Sequence, residues 1–188
     1  MKKTAIIAGI LIAGTTVAAL AHGGATGIVK ERMDAMLAMG KAVKTVTPMM
    51  SGAAEYDADK LRAAARTFQK HSGQAMTDQF PEGSGGMPSM AKAAVWEDWD
   101  SFSELAEQLG TYARGLEMAA ENGVGTPGGM GSGTMMGGSS MMGNGTMMGG
   151  TAGAMSAEAV GTMSANAAFN MTTQVCSACH SRFRAKED

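Results

Sequence analysis

The sequence predicts an all-α protein that folds as an antiparallel bundle of four helices. Apolar residues recur at intervals of three and four positions in four separate stretches, which is the period of an amphipathic helix. No stretch shows the alternation of apolar and polar residues that is typical of a strand. The length of the chain, 188 residues, suits a single domain.

The first two predicted helices occupy residues 28–46 and about 57–76. We expect the first to end before Pro48, because proline cannot continue a helix. Its apolar stripe consists of Val29, Met33, Met36, Gly40 and Val43. The second has Asp57 or Asp59 available as its N-cap. Its stripe consists of Leu61, Ala65, Phe68, Ser72 and Ala75.

The third predicted helix has the clearest periodicity and the fourth contains the most informative motif. Ser101 and Glu104 form a capping-box pattern at the start of the third helix. Its stripe consists of Phe102, Leu105, Leu109, Tyr112, Leu116 and Ala119. We expect the fourth helix to begin near Ser156 and to continue to Phe183. Its stripe includes Phe169, Thr173, Cys176 and His180.

Residues 176–180 read Cys-Ser-Ala-Cys-His, the C-x-x-C-H spacing that attaches a c-type haem. In a helix, the sulfurs of Cys176 and Cys179 share one face and can form thioethers with the haem vinyl groups, and His180 can bind the iron. A disulfide and a thioredoxin-like redox pair are the alternatives. A redox pair belongs at the start of a helix after a strand, and no strand pattern precedes Val175. One covalently attached haem c per chain is therefore the predicted cofactor.

Residues 1–21 have the layout of a secretory signal peptide. Lys2 and Lys3 precede an apolar run, and small residues lead to a cleavage site expected after Ala21. Export places the cysteines in an oxidising compartment, and the bacterial form of the signal predicts the periplasm. Loss of the two lysines changes the net charge from -2 to -4, and this acidic balance with few aromatic residues argues against a nucleic-acid partner. We expect no stable membrane insertion after cleavage, because no other stretch approaches a transmembrane span.

The mature domain, residues 22–188, is interrupted between its third and fourth helices by residues 122–155. This stretch contains thirteen glycines, eight methionines and no charged residue. Methionine pairs recur every six residues, at 135–136, 141–142 and 147–148. The composition cannot bury enough apolar surface to offset the entropy of ordering, which predicts a disordered insertion. A flexible linker is the simpler interpretation, and a Cu(I)-binding module is the alternative because thioethers are soft ligands.

Several short motifs accompany the haem motif. They are Arg32 with Met36 four residues later, Val46-Thr47-Pro48, Tyr56-Asp57, Phe-Pro-Glu-Gly-Ser at 80–84, Val95-Trp96, and Phe183-Arg184. Together these motifs resemble the class II c-type cytochromes, the family of cytochrome c′ and its low-spin relatives with a methionine ligand. The resemblance implies a four-helix bundle with haem attached near the C-terminus. The long insertion departs from the short third connection of that family.

The resemblance also implies a second iron ligand. In the low-spin members, a methionine four residues after the first-helix arginine binds iron opposite the histidine, an arrangement that suits electron transfer. In the high-spin members this residue is apolar, and the five-coordinate iron binds NO or CO. Met36 is therefore the expected distal ligand, opposite His180. Methionine is also an ordinary core residue, and Met33, Met39 and His71 are competitors.

Four further residues are candidates for contact with the haem. Arg32 and Arg184 suit the propionates, because a guanidinium group binds a carboxylate in bidentate fashion, although a surface arginine is more often only solvated. Trp96 and Phe183 are candidates for packing on the haem, with ordinary core burial as an equally good alternative.

The predicted function is that of a periplasmic electron carrier, which is not an enzyme and has no catalytic residues. Its expected partners are periplasmic redox proteins. A gas-binding cytochrome c′ is the alternative within haem chemistry. The sequence leaves both a monomer and a homodimer open.

Overall fold

The computed structural model describes residues 24–125 and 154–186. Its helices are α1 (Gly27–Met50), α2 (Ala58–Lys70), α3 (Gln74–Thr77), α4 (Ala94–Glu97), α5 (Trp99–Ala119), α6 (Ala157–Gly161) and α7 (Ala165–Phe183), with a 3-10 turn at Ala120–Asn122. Within these ranges the only extended pairing is a bridge between Ala91 and Arg184. The all-α prediction is confirmed. The predicted signal peptide and residues 126–153 of the insertion lie outside the described residues.

The four long helices, α1, α2, α5 and α7, form the bundle, and α5 is its central element. Helix α5 packs against α2, α6 and α7, and α1 packs on α2. In contrast, α1 and α7 contact each other only marginally. The bundle is therefore closed on three sides and open between α1 and α7. Over the described ranges, no helix is long and apolar enough to cross a membrane.

Helix α1 is longer than predicted, because it continues through Pro48 to Met50. Proline lacks the N–H that would bond to the carbonyl of Lys44. Both residues are exposed, so this carbonyl is on the side of the helix that faces water. The amides of Ala53 and Ala54 donate to the Pro48 carbonyl at 2.8 and 3.0 Å and close the helix end. A proline in the last turn on the exposed side is therefore tolerated.

The buried side of α1 also differs from the predicted stripe. Met33 is 44% exposed, and Met36 and Val43 are only partly buried. The buried residues are Arg32, Ala35, Met39, Val46 and Met49. The predicted stripe was wrong because helical periodicity assigns arginine to the exposed side of a helix. In the structure, Arg32 is buried and its guanidinium group is hydrogen-bonded.

The second predicted helix is divided into α2 and α3. Helix α2 begins after Asp57, whose side chain caps it as predicted, but it ends at Lys70. Gly73 has a φ of 57°, in the left-handed region that favours glycine. Its amide donates to the carbonyl of Ala106 in α5 at 2.8 Å. This turn fastens α2 to α5 and changes the direction of the chain, so that Met76 is buried instead of Ala75.

Helix α5 begins earlier than predicted. Its first residue is Trp99 and its N-cap is Asp98, so Ser101 lies inside the helix and the predicted capping box with Glu104 is wrong. The predicted apolar stripe is otherwise buried, except that Leu105 is partly buried. The buried surface is wider than one stripe because α5 has neighbours on several sides. It also includes Ala106, Gly110, Ala113 and Gly115.

The fourth predicted helix is divided into α6 and α7. Helix α6 begins after Ser156, close to the predicted start, and the Ser156 side chain accepts a hydrogen bond from the Ala159 amide. The side-chain amide of Asn122 donates to the carbonyls of Gly161 and Met163 at 2.8 and 2.6 Å. These bonds satisfy carbonyl groups at the end of α6, which allows the chain to turn before α7 begins. The sequence pattern did not reveal this long-range cap.

Both ends of the predicted insertion are integrated into the bundle. The backbone of Gly125 exchanges two hydrogen bonds with the side chain of Asn166, at 3.0 and 3.3 Å. Met155 packs against the core, and its amide donates to the Tyr112 hydroxyl at 3.4 Å. The residues at both ends of the predicted insertion are therefore bonded to the bundle, and the boundaries at 122 and 155 stay a prediction.

Candidate haem site

An apolar cavity of about 120 Å³ lies where α1 and α7 face each other. Helix α1 contributes Met36, Met39, Gly40 and Val43, and α7 contributes Val175, Cys176, Cys179 and His180. The other lining residues are Phe68, Met76, Leu105 and Leu109. The weakly packed pair of helices therefore encloses the predicted haem motif and the predicted distal ligand in one space.

Helix α7 presents the motif beside its buried face. Its buried residues include Phe169, Thr172, Val175 and Phe183, so Thr172 replaces the predicted Thr173. Cys176 and Cys179 are partly buried and are not joined to each other. His180 is more exposed, at the rim of the cavity. The helical spacing thus brings all three groups to the same cavity.

The cavity changes the acid–base properties of these groups. Burial raises the pKa of the Cys176 thiol, and burial together with the neighbouring Cys176 raises the pKa of Cys179 to about 11. A reactive redox pair requires the opposite shift, because the thiolate is its nucleophile. Burial, and then the charge of Arg184, lower the pKa of His180. Its imidazole is therefore neutral at neutral pH and has a ring nitrogen available to bind a metal.

The structure changes the set of candidate distal ligands. Met33 does not line the cavity, and neither does His71, which forms the C-cap of α2. Met36 and Met39 do line it, and so does Met76, which sequence reasoning missed because it placed the apolar face of that segment at Ala75. Met39 and Met76 are core residues, 7% and 4% exposed, whereas Met36 is partly buried at the edge of the core.

Gly40 leaves space in the wall of the cavity, one turn after Met36. A Cβ atom added at Gly40 would meet no heavy atom within 4 Å. Glycine inside a helix is less favourable than alanine by roughly 0.5–1 kcal/mol. The thioether, imidazole and two thiol groups on facing helices, with this open wall between them, form a donor set that fits a covalently bound haem.

Arg32 lies outside the cavity lining, and its N–H groups are all used elsewhere. Its Nε and Nη2 donate to the carbonyl of Gln79 at 3.1 and 2.6 Å, and Nη2 donates to Ser84 Oγ at 2.8 Å. Its Nη1 donates to Ser89 Oγ at 2.8 Å and to the Ser84 carbonyl at 3.4 Å. These five bonds involve all of its N–H-bearing nitrogens, and the pairing of Arg32 with a haem propionate stays a prediction. Burial also lowers the pKa of Arg32.

Trp96 and Phe183 do not line the cavity either. The Nε1 group of Trp96 donates to the carbonyl of Phe80 at 2.9 Å. Phe183 packs edge-to-face on Phe102, with 5.4 Å between the ring centroids. Both residues take part in aromatic packing beyond the cavity lining, and their contact with the haem stays a prediction.

Arg184 follows directly after α7, where its backbone pairs with Ala91. Its charge contributes, after burial, to the lowered pKa of His180. The pairing of Arg184 with a haem propionate stays a prediction.

Comparisons with known proteins identify the family of this chain. A model of the family described as cytochrome c′ matches residues 27–133, more than half of the chain. A cytochrome c-556 from Agrobacterium fabrum strain C58 is 34% identical over 109 residues, which cover 58% of this chain and 68% of the relative. A cytochrome c-556 from Agrobacterium tumefaciens strain II Chrys is 34% identical over 87 residues, which cover 46% of this chain and 70% of the relative.

Solved structures share the fold. Cytochrome c′ from Thermochromatium tepidum has a TM-score of 0.57 and 21% identity, over 85% of this chain and 95% of that chain. A nitric oxide complex of a variant cytochrome c′ from Alcaligenes xylosoxidans has a TM-score of 0.56 and 22% identity, over 85% of this chain and 94% of that chain. Taken with the family match over α1 to α5, these findings show that the chain belongs to the cytochrome c′ family, whose members bind covalently attached haem c.

Proposed function

We propose that this protein transfers electrons in the periplasm through one haem c, attached at Cys176 and Cys179, with His180 and Met36 as the axial ligands. The observation that supports this proposal is the position of Met36 on α1 and His180 on α7, in the lining of one cavity with both cysteines. When bound, the haem supplies an iron that alternates between the ferrous and ferric states, and histidine–methionine ligation raises its reduction potential.

The protein holds the two ligands in different ways. Cys176, Cys179 and His180 lie within about one turn of α7, so the covalent attachment fixes the haem to this helix. Met36 reaches the same cavity from α1, a separate helix. Only tertiary packing would therefore keep its sulfur in position to bind the iron. Histidine ligation depends on local sequence, whereas methionine ligation depends on the spacing of α1 and α7.

His180 lies exposed at the rim of the cavity, whose inner walls are apolar. Phe68, Leu109 and Val175 are buried around it, and Leu105 is partly buried. An apolar shell controls solvent access and the local dielectric, and both influence the reduction potential. This environment suits a group that exchanges only an electron. Its partner, in this proposal, is a periplasmic redox protein.

Visible absorption spectra of the matured protein test the ligands. The ferric protein should show a weak sulfur-to-iron charge-transfer band at the red end of the visible range. Met36→Leu should abolish the band and give a high-spin spectrum, because leucine keeps the apolar bulk and removes the sulfur. Met39→Leu and Met76→Leu are matched controls that should keep it. Loss of the band in either control, with retention in Met36→Leu, would assign the ligand to that control position.

Gas binding at a five-coordinate haem is a second candidate function. It is favoured by the open space beside Gly40 and by the nitric oxide complex of the Alcaligenes xylosoxidans relative. Carbon monoxide binding to the ferrous protein separates the two candidates. Association should be slow if the Met36 sulfur must leave the iron first, and it should become fast in Met36→Leu. Equally fast association in both proteins, with a high-spin wild-type spectrum, would support gas binding.

A further inference from the structure

The open side of the bundle raises the question of what fixes the spacing between α1 and α7. The two helices contact each other only marginally, although each supplies a proposed axial ligand. Arg32 is the buried residue of α1 closest to the N-terminus of that helix. It precedes Met36 by four residues, which is about one turn. The attachment of this part of α1 therefore depends on Arg32.

Arg32 is 5% exposed, and its positive charge is stabilised without a carboxylate. Among the described residues it forms no salt bridge; its five N–H groups bond to neutral oxygens of Gln79, Ser84 and Ser89. Its Cζ lies 3.9 Å from the centroid of the Phe80 ring, a cation–π contact. The planar guanidinium group thus joins α1 to residues 79–89. Lysine could not make all of these contacts, because its three donors share one nitrogen.

A hydrogen-bonded route leads from Arg32 to the end of α7. Ser89 Oγ, which accepts from Arg32, also accepts from the amide of Ala91 at 3.2 Å. The residues beside Ala91 bond to the chain at the end of α7. The Lys92 amide donates to the Phe183 carbonyl at 2.9 Å. The Ala185 amide donates to the Met90 carbonyl at 2.8 Å.

An aromatic route connects the same two places. The ring of Phe80, which lies against Arg32, packs on Phe102 with 4.7 Å between centroids. Phe102 in turn packs on Phe183, with 5.4 Å between centroids. Phe183 is three residues after His180. Both routes therefore start one turn from Met36 and end about one turn from His180.

We infer that Arg32 is a positioning residue, which links the first turns of α1 to the end of α7 through residues 79–92 and so keeps the Met36 sulfur in the cavity that His180 also lines. This inference rests on the proposed histidine–methionine ligation. Without the contacts of Arg32, the first turns of α1 would move away from α7, and the sulfur would leave the iron before the bundle unfolds.

The test compares iron–sulfur ligation with global folding in the matured protein. Each protein is heated while the sulfur-to-iron band and the far-ultraviolet circular dichroism are recorded. In Arg32→Lys the band should disappear at a temperature well below the loss of helix, and carbon monoxide should bind the ferrous protein at least tenfold faster than in the wild type. Ser89→Ala removes one acceptor and should shift both readouts less, in the same direction. It also provides the test if Arg32→Lys does not fold.

Tyr56→Phe is the matched control for a loss of stability alone. The Tyr56 hydroxyl donates to the Ala120 carbonyl at 2.5 Å, a long-range bond that does not involve residues 79–92. Removing this hydroxyl should lower, by the same amount, the temperature midpoints for loss of the sulfur-to-iron band and for loss of helix. If the band and the helix signal also fall together in Arg32→Lys and Ser89→Ala, Arg32 contributes only to general stability and the inference is overturned. A wild-type protein without the band would instead contradict the proposed ligation itself.

Discussion

Gly115 and Gly40 are both helical glycines, but they serve opposite purposes in two regions of the bundle. A Cβ atom added at Gly115 in α5 would lie 2.5 Å from Val160 Cβ and 2.7 Å from the carbonyl oxygen of Ala157. A Cβ atom added at Gly40 in α1 would meet nothing within 4 Å. The first glycine allows α5 and α6 to approach closely. The second leaves room in the cavity between α1 and α7.

The same contrast extends to the surrounding side chains. On the closed side, Leu116, Ala119 and Val160 are fully buried. On the open side, Met36 and the two cysteines are only partly buried against the core. Close packing of α5 with its neighbours provides a rigid frame for α7, which allows the facing helix α1 to stand apart. The region that stabilises the fold is thus separate from the region that provides its chemistry.

The largest expected effect concerns the open region. The Cys176→Ala/Cys179→Ala double variant should lose all covalently attached haem, because both thioether bonds require these sulfurs. Acid–acetone extraction of protein matured in a host that attaches c-type haem measures the outcome. The wild type should retain its haem through extraction, and so should Met36→Leu. Haem that extracts cleanly from the wild type would contradict the proposed attachment.

Alanine substitutions at the two glycines test the comparison directly. Gly115→Ala should lower the free energy of unfolding by about 1–3 kcal/mol, because the added methyl group overlaps Val160 and backbone. Gly40→Ala should raise it by up to about 1 kcal/mol, because alanine reduces the entropy of the unfolded chain and no atom lies in its way. Urea unfolding of the matured variants measures both values. Equal losses would mean that the wall at Gly40 is closely packed in the matured protein.

The thiol pKa values predict how the chain behaves before haem attachment. The pKa of Cys179 is raised to about 11 by burial, and that of Cys176 is also raised. Because the pKa of an unfolded thiol is about 8.5, folding favours the protonated form. This contribution to the free energy of unfolding is fully present below the pKa of the unfolded thiol. It is lost as the pH rises from there towards the pKa values of the folded protein.

Iodoacetamide labelling of the folded, haem-free chain measures this effect. Labelling should be slow at pH 8 and should increase through the alkaline range. In denaturant, the labelling rate should instead rise with a midpoint at about pH 8.5. Rapid labelling of the folded chain at pH 8 would indicate a lowered pKa and would revive the thioredoxin-like interpretation.

Local signals in the sequence were sufficient for part of this site. The C-x-x-C-H spacing required only that residues 176–180 be helical, and the structure brings both cysteines and His180 to one cavity. Asp57, one of the two candidate N-caps, does cap α2, and the helix start near Ser156 was also located correctly, because both depend on neighbouring residues.

Long-range contacts explain what the sequence could not predict. The burial of Arg32 depends on acceptors from Gln79 to Ser89, about fifty residues away along the chain. The end of α6 depends on Asn122, and the turn after α2 depends on a bond from Gly73 to Ala106. These tertiary bonds override the helical periodicity of the segments in which they occur. Met76 was missed for the same reason.

Replacing residues 126–153 with a short Gly/Ser linker should have a small effect on the fold and the haem. The hydrogen bonds of Gly125 with Asn166 and of Met155 with Tyr112 remain. Asn166 and His180 are separated by about 21 Å along α7, at 1.5 Å per residue. Loop closure changes stability by only about 0.6 kcal/mol per doubling of loop length. The spectrum and reduction potential should therefore match the wild type, and a low-spin to high-spin change would contradict this expectation.

The same deletion tests whether the methionine pairs bind copper. Their thioethers suit Cu(I), and the pairs at 135–136, 141–142 and 147–148 place six sulfurs within fourteen residues. If the pairs form a copper site, the full-length protein should bind Cu(I) under reducing conditions and the deletion variant should not. Replacing the six methionines with leucine should also abolish binding and leave the haem spectrum unchanged, because leucine removes the sulfur and keeps the apolar bulk. Equal Cu(I) affinity in the wild-type and leucine proteins would eliminate the copper hypothesis, since no other change separates them.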